Sequence, residues 1–110
     1  MKKIEASIKP FKMDELKSAL MDAGIGDVRI FQLQEIGDRK HREFYRGAEY
    51  AVQFEPRIMF SMLVEDERVD RIVQIIQETA GTNNEGDGQI LVIPVELAEP
   101  IGTDDVPETA

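Results

Sequence analysis

The sequence predicts an α+β fold in which two helices cover one face of a four-stranded antiparallel sheet. Four short runs read as strands, two segments carry apolar residues at helical spacing, and the order along the 110 residues is β-α-β-β-α-β. That order is the split βαβ, or ferredoxin-like, arrangement of two similar halves. The length allows one domain with a single core.

Ile4, Ala6 and Ile8 alternate with polar residues, a half-buried strand that Pro10 stops. Leu16, Ala19, Leu20 and Ala23 then fall at i, i+3, i+4, i+7, with Asp14 and Glu15 in the first turn and Gly24 at the end, so a helix is expected. Val28 to Ile36 reads as a second strand whose apolar phase switches between Ile30 and Phe31, which predicts a bulge. Arg57 to Val64 is the expected third strand. Val69, Ile72, Val73 and Ile76 repeat the helical pattern, opened by Glu65, Asp66 and Glu67 and closed by Gly81. Ile90 to Ile93 is the fourth strand. Residues 1–95 are thus the expected folded domain, and 96–110 an acidic, mobile tail rich in Pro, Asp and Glu.

Both helices cover the same face of such a sheet, yet Ile58 to Val64 is apolar on both phases except at Ser61, and Ile90-Leu91-Val92-Ile93 has no polar position. Strands apolar on both sides are buried on both sides. The second face therefore predicts packing of subunits into a homo-oligomer.

Composition removes several function classes. With no cysteine, disulfides and thiolate metal sites are excluded. A net charge of −9 argues against a non-specific nucleic-acid binder. No apolar run approaches the ~18 residues of a membrane span, and the charged start Met1-Lys2-Lys3-Ile4-Glu5 is unlike a signal peptide, so a cytoplasmic protein without membrane insertion is expected. Catalysis has little to stand on. The one histidine, His41, has no serine or cysteine partner in view, and it lacks the spacing of a metal pair with Glu43, so no catalytic or metal site is assigned.

Chemistry concentrates in two connections. Residues 37–56 form a polar loop of about twenty residues, far beyond the usual four to six, and loops of that length in compact domains are functional or disordered. Arg39, Lys40, Arg42 and Arg46 make it a basic loop on an acidic body, suited to an anionic ligand or partner. Tyr45-Arg46-Gly47-Ala48-Glu49-Tyr50 follows, two tyrosines bracketing Arg46, Gly47 and Glu49. The second connection, Thr82-Asn83-Asn84-Glu85-Gly86-Asp87-Gly88, precedes the fourth strand. Its glycines permit close backbone approach to an anion or phosphate, although Gly-Asp-Gly is equally an ordinary turn.

Met1-Lys2-Lys3-Ile4-Glu5-Ala6 with Ile8-Lys9-Pro10-Phe11-Lys12, the Tyr45-to-Tyr50 hexapeptide and Gly86-Asp87-Gly88 together resemble the P-II signal-transduction proteins, the nitrogen regulatory P-II family. The resemblance runs from Met1 to about Val95. It implies a homotrimer with three intersubunit clefts for adenine nucleotides and a small metabolite such as 2-oxoglutarate. It also implies a long loop, the family's T-loop, that docks on a transporter, enzyme or regulator. On the same basis Gly37 and Lys40 match loop residues of the nucleotide site, and Arg57 stands where a lysine holds the metabolite carboxylate. Tyr50 matches the tyrosine uridylylated in some members, with Arg42, Tyr45, Arg46, Gly47 and Glu49 around it in the partner-binding loop.

The chain departs from that pattern at several cations and at the metal contact. Arg39 replaces the glutamine that coordinates Mg²⁺, and a guanidinium has donors only. The loop is one residue shorter at His41. Asn83 and Asn84 replace a glycine and a lysine, Gln89 replaces a phosphate-binding lysine, and Pro100 and Gly102 stand for two arginines. Each lost charge-assisted contact is worth about 1.5–3 kcal/mol, so ordinary ATP affinity is expected to fall unless Arg29, Arg39 or Arg42 substitutes.

The resulting expectation is a regulator, not an enzyme, with a nucleotide or anion site at Gly37, Arg39, Lys40, Arg57, Gly86, Asp87, Gly88 and Gln89. The effector is ADP, AMP or ATP, or a small anion such as bicarbonate held by Arg39. No obligatory cofactor is assigned. The partner class is a transporter of ammonium, bicarbonate or metal ions, or an enzyme. The alternatives are a ligand-independent interaction module and, behind it, a ferredoxin-fold oligomeric enzyme or metal-tolerance protein.

Overall fold

The computed structural model of the chain describes residues 1–36, 54–84 and 86–102. The elements run β1 (Lys2–Ile8), α1 (Met13–Asp22), β2 (Val28–Ile36), β3 (Phe54–Val64), α2 (Val69–Ala80) and β4 (Gly88–Pro94), with short 3₁₀ turns at Pro10–Lys12 and Asp66–Arg68 leading into the helices. The sheet order is β2-β3-β1-β4. Every neighbouring pair is antiparallel. This is the ferredoxin-like α+β fold expected from the element order.

Even-numbered strand residues face the helices. Ile4, Ala6, Ile8, Ile58, Phe60, Met62 and Val64 pack against Leu16, Leu20, Ile72, Ile75 and Ile76 to form the core. In register, Ala6 lies opposite Phe60 on one side and Ile90 on the other, so a small residue makes room for the largest buried side chain. Helix α1 ends where Gly24 adopts φ +86°. The Gly24 N–H donates to the Met21 carbonyl at 3.0 Å and the Ile25 N–H to that of Leu20 at 2.9 Å, a Schellman cap closed by buried Ile25. Arg68 adds a hydrogen bond from Nη2 to the Ala23 carbonyl at 2.6 Å and so ties the start of α2 to the end of α1.

Three sequence expectations shift. The β2–β3 register is continuous from Val28↔Met62 to Ile36↔Phe54, so no bulge separates Ile30 from Phe31. The apolar phase switches because Ile30 faces the helices while Phe31 lies on the opposite face, and both are substantially exposed on an edge strand. Strand β3 begins at Phe54, not Arg57. Pro56 has a register partner on β2 alone, Gln34, because pairing with β1 starts only at Ile58, so the strand is a sheet edge on its β1 side there, where proline is tolerated. Strand β4 extends over Gly88–Pro94, beyond the apolar run at both ends.

No described helix lies on the odd-numbered face. It presents Phe31, Leu33, Met59, Leu63, Leu91 and Ile93 among Lys3, Glu5, Arg29 and Ser61. The β2–β3 pair runs past the ends of β1 and β4, which places residues 33–36 and 54–57 as a ledge beside the turn that precedes Gly88.

Candidate functional site

Arg57 lies at the root of that ledge, on the face away from the helices, with only 7% of its side chain exposed. Its Nη1 points to the Asp87 carbonyl at 3.5 Å and its Nη2 to Glu55 Oε2 at 3.3 Å. Nε lies 3.5 Å from Glu35 Oε2. That distance is a charge pairing without a hydrogen bond, and Nε is buried with no hydrogen-bond partner. From β1, the Ser7 hydroxyl donates to Glu35 Oε1 at 2.7 Å. One buried guanidinium is therefore surrounded by two half-exposed carboxylates, a serine hydroxyl and the turn backbone.

The turn over 82–88 is pinned by Asp87. Its carboxylate accepts the Thr82 backbone N–H at 2.7 Å and the Thr82 hydroxyl. Lys9 Nζ lies 3.3 Å from the same carboxylate. Asn84 Nδ2 reaches Thr82 Oγ1 at 3.3 Å. Asn83, Gly86 and Gly88 take φ values of +61°, +81° and +135°. A Cβ on Gly86 would sit 3.9 Å from Arg57 Nη2, so the guanidinium and the turn face one another. Between this turn, α2 and β4 opens a cleft of about 520 Å³ with Ser7, Ile8, Ile76, Gln77, Asp87 and Ile90 in its walls.

The Thr82 side-chain and backbone hydrogen bonds, with Lys9 adding, hold the Asp87 carboxyl well below the usual carboxylate range. The folded pKa is depressed, so this contribution to stability is complete above the unfolded value near ~4 and is lost as the pH falls below it. Asp87→Asn is expected to lower the melting temperature at pH 7 and to flatten its decline between about pH 4 and pH 2. Thermal melts of both proteins across that range check it, and equal acid slopes would contradict it.

Of the residues singled out from sequence, Arg57, Gly86, Asp87 and Gly88 are brought together. The Asp87 side chain is turned to Thr82 and Lys9, leaving its carbonyl toward Arg57. Gln89 is exposed, opposite Ser7 in register. Gly37, Arg39, Lys40, Arg42, Tyr45, Arg46, Gly47, Glu49 and Tyr50 lie outside the described residues, as do His41 and Glu43. Sequence reasoning missed Ser7, Glu35 and Glu55. Among the described residues, no group of three or more His, Asp or Glu side chains is arranged to hold a metal ion. Nor is any described helix long and apolar enough to cross a membrane.

The family model for nitrogen regulatory protein P-II matches residues 1–105. The chain belongs to the P-II family. A nitrogen regulatory protein P-II of Haemophilus influenzae is 47% identical over 111 aligned residues, covering 100% of this chain and 99% of that one. One from Azospirillum brasilense is 48% identical over 97 residues, 87% of each chain. That of Pasteurella multocida is 45% identical over 111 residues, with 100% of this chain and 99% of the other covered. Membership of the P-II family makes this chain a signalling and regulatory protein.

Proposed function

We propose that this P-II protein is a ligand-responsive regulator with its effector site beside Arg57 and the Gly86–Gly88 backbone. An adenine nucleotide, a small anion, or both occupy that site, and the connection 37–53 transmits occupancy to a transporter or enzyme. The observation that carries the reading is convergence. Buried Arg57, the turn before β4 and the two strand ends that lead into the long connection all meet at one end of the sheet. A ligand there has a route to the connection's stems. It signals only through contacts that differ between the connection's two states.

In this reading residues 1–95 are the sensing domain and 96–110 a tail. Gly37, Arg39 and Lys40 complete the effector site, while Arg42 and the Tyr45-to-Tyr50 hexapeptide meet the partner, with Tyr50 the position open to modification. The protein works in the cytoplasm as a regulator, not a catalyst. Transporters of ammonium, bicarbonate or metal ions are the first partners to test. The missing cations at Asn84, Gln89, Pro100 and Gly102 and the guanidinium at Arg39 disfavour a Mg²⁺–ATP–2-oxoglutarate complex. ADP or AMP, with or without a small anion, fits better.

Calorimetric titration with ATP, ADP and AMP, each with and without 2-oxoglutarate or bicarbonate, tests the reading. At least one nucleotide or anion is expected to bind, and Arg57→Gln to weaken it by on the order of tenfold or more, the loss of one charge-assisted contact. Tight Mg²⁺-dependent ATP and 2-oxoglutarate binding would overturn the account of the lost contacts. A second reading, a ligand-independent interaction module, is favoured by one observation: Arg57 is already charge-paired by Glu35 and Glu55. Silence with every ligand selects it.

The assembly proposed is a homotrimer with the sites between subunits. Phe31 and Leu91 are 50% and 44% exposed on the face without helices, and together with Leu33, Met59, Leu63 and Ile93 they give that face the apolar content a subunit interface needs. Sedimentation equilibrium is expected to return three times the 12.5 kDa chain mass. A monomer at micromolar concentration would rule the trimer out.

A further inference from the structure

We propose that Glu35 is a built-in occupant of the Arg57 anion subsite, which a small planar oxyanion enters by displacing the Glu35 carboxylate. The inference rests on the reading of Arg57 as an anion-holding residue and goes beyond it by naming the side chain of this protein that competes for the site.

Glu35 belongs to β2 and Ser7 to β1, and β3 with Arg57 lies between them. The Glu35 side chain therefore crosses β3 to accept the Ser7 hydroxyl at 2.7 Å, passing over the guanidinium. It does not satisfy that guanidinium. Arg57 Nε is buried without a hydrogen bond, and the other two contacts of Arg57 are 3.3 Å and 3.5 Å long. Charge-assisted N–H···O bonds ordinarily run at about 2.7–2.9 Å. Glu35 and Glu55 thus neutralise Arg57 without filling its donor fork.

Exposure decides which group moves. The Glu35 side chain is 44% exposed and can swing into water, whereas Arg57 at 7% is fixed. The vacated position faces Nε, and a free anion with two coplanar oxygens can align on the fork in a way a side chain tethered to β2 does not. Glu55 stays 3.3 Å from Nη2, so the local charge after Glu35 leaves is close to zero. A monoanion is tolerated there, and a polyphosphate chain is repelled by Glu55. The ligand class is a carboxylate or bicarbonate.

The Nε–H resonance of Arg57 in a ¹⁵N-labelled chain, identified by its absence from Arg57→Lys, reads the site directly. Sodium acetate and bicarbonate are the titrants, with pyrophosphate as the polyanion. Glu35→Gln removes the charge while leaving an acceptor for Ser7, and is expected to bring the acetate and bicarbonate midpoints down by about tenfold, the scale of one charge-assisted contact. Ser7→Ala, which frees the strap and keeps its charge, is expected to lower them less. Equal midpoints in the wild-type and Glu35→Gln proteins overturn the proposal while leaving Arg57 as an anion site. Pyrophosphate binding more tightly than acetate overturns the ligand class. An Arg57 signal that no anion moves in any variant removes both the proposal and the anion-holding reading of Arg57.

Discussion

Replacing Gly88 with alanine is expected to destabilise the fold by about 3 kcal/mol or more, among the largest single-residue effects in the chain. Two costs coincide there. The residue sits at φ +135°, where an L side chain is strained, and a Cβ would fall 1.8 Å from the Ser7 carbonyl oxygen and 2.9 Å from its carbon. Both obstacles are backbone of the central strand β1, so neither can rotate aside. Relief requires parting β4 from β1 at the register pair Ile8↔Gly88. That separation would also move the Asp87 carbonyl away from Arg57. Urea unfolding of Gly88→Ala against the wild type measures the loss, and a change under about 1 kcal/mol would mean that the close approach does not exist. Gly86→Ala, whose Cβ would meet nothing nearer than Arg57 Nη2 at 3.9 Å, is the matched control and is expected to incur only the strain of φ +81°, about 1–2 kcal/mol.

Phe60→Ala is expected to cost about 3–5 kcal/mol. Phe60 is 0% exposed, and it lies in register between Ala6 on β1 and Ile30 on β2. Its neighbours are strand residues held by ladders on both sides, so the cavity collapses poorly and the cost sits toward the upper end. Phe60→Leu, which retains most of the buried apolar volume, is expected to lose less than half as much. The midpoint of urea unfolding should fall in both variants at unchanged slope. A Phe60→Ala protein as stable as the wild type would contradict the placement of the core between this face and the helices. For a domain of this size a loss of this magnitude approaches the whole folding free energy of about 5–15 kcal/mol.

Element order and the helix-facing core were legible because they rest on periodicity. The Ile4-Ala6-Ile8 alternation and the Ile72-Ile76 spacing read directly as buried faces, with Val73 partly buried beside them. The true start of β3 was not legible, since Glu55-Pro56 reads as the end of a loop and only the register shows that the strand has a single neighbour at Pro56. The site was half legible. Gly86 and Gly88 announce a turn, and Arg57 was reached through a family resemblance. Ser7 and Glu35 left no signal. They are 28 residues apart in sequence and on strands that are not neighbours; Ser7 is the polar phase of an alternating strand, and Glu35 follows Phe31 and Leu33 on one phase of another. Their meeting depends on a carboxylate long enough to cross β3, which no local pattern encodes.

The proposed regulator couples an effector site at Arg57 to the connection between β2 and β3. Hydrogen exchange followed by mass spectrometry, on the full chain alone and saturated with bicarbonate, measures that coupling most directly. The account predicts slower exchange in peptides covering 82–89 and, in the same sample, altered exchange across 37–53, with both changes lost in Arg57→Gln. Protection of 82–89 with 37–53 unchanged would contradict it, because a ligand that leaves the connection's states equally populated carries no signal to a partner.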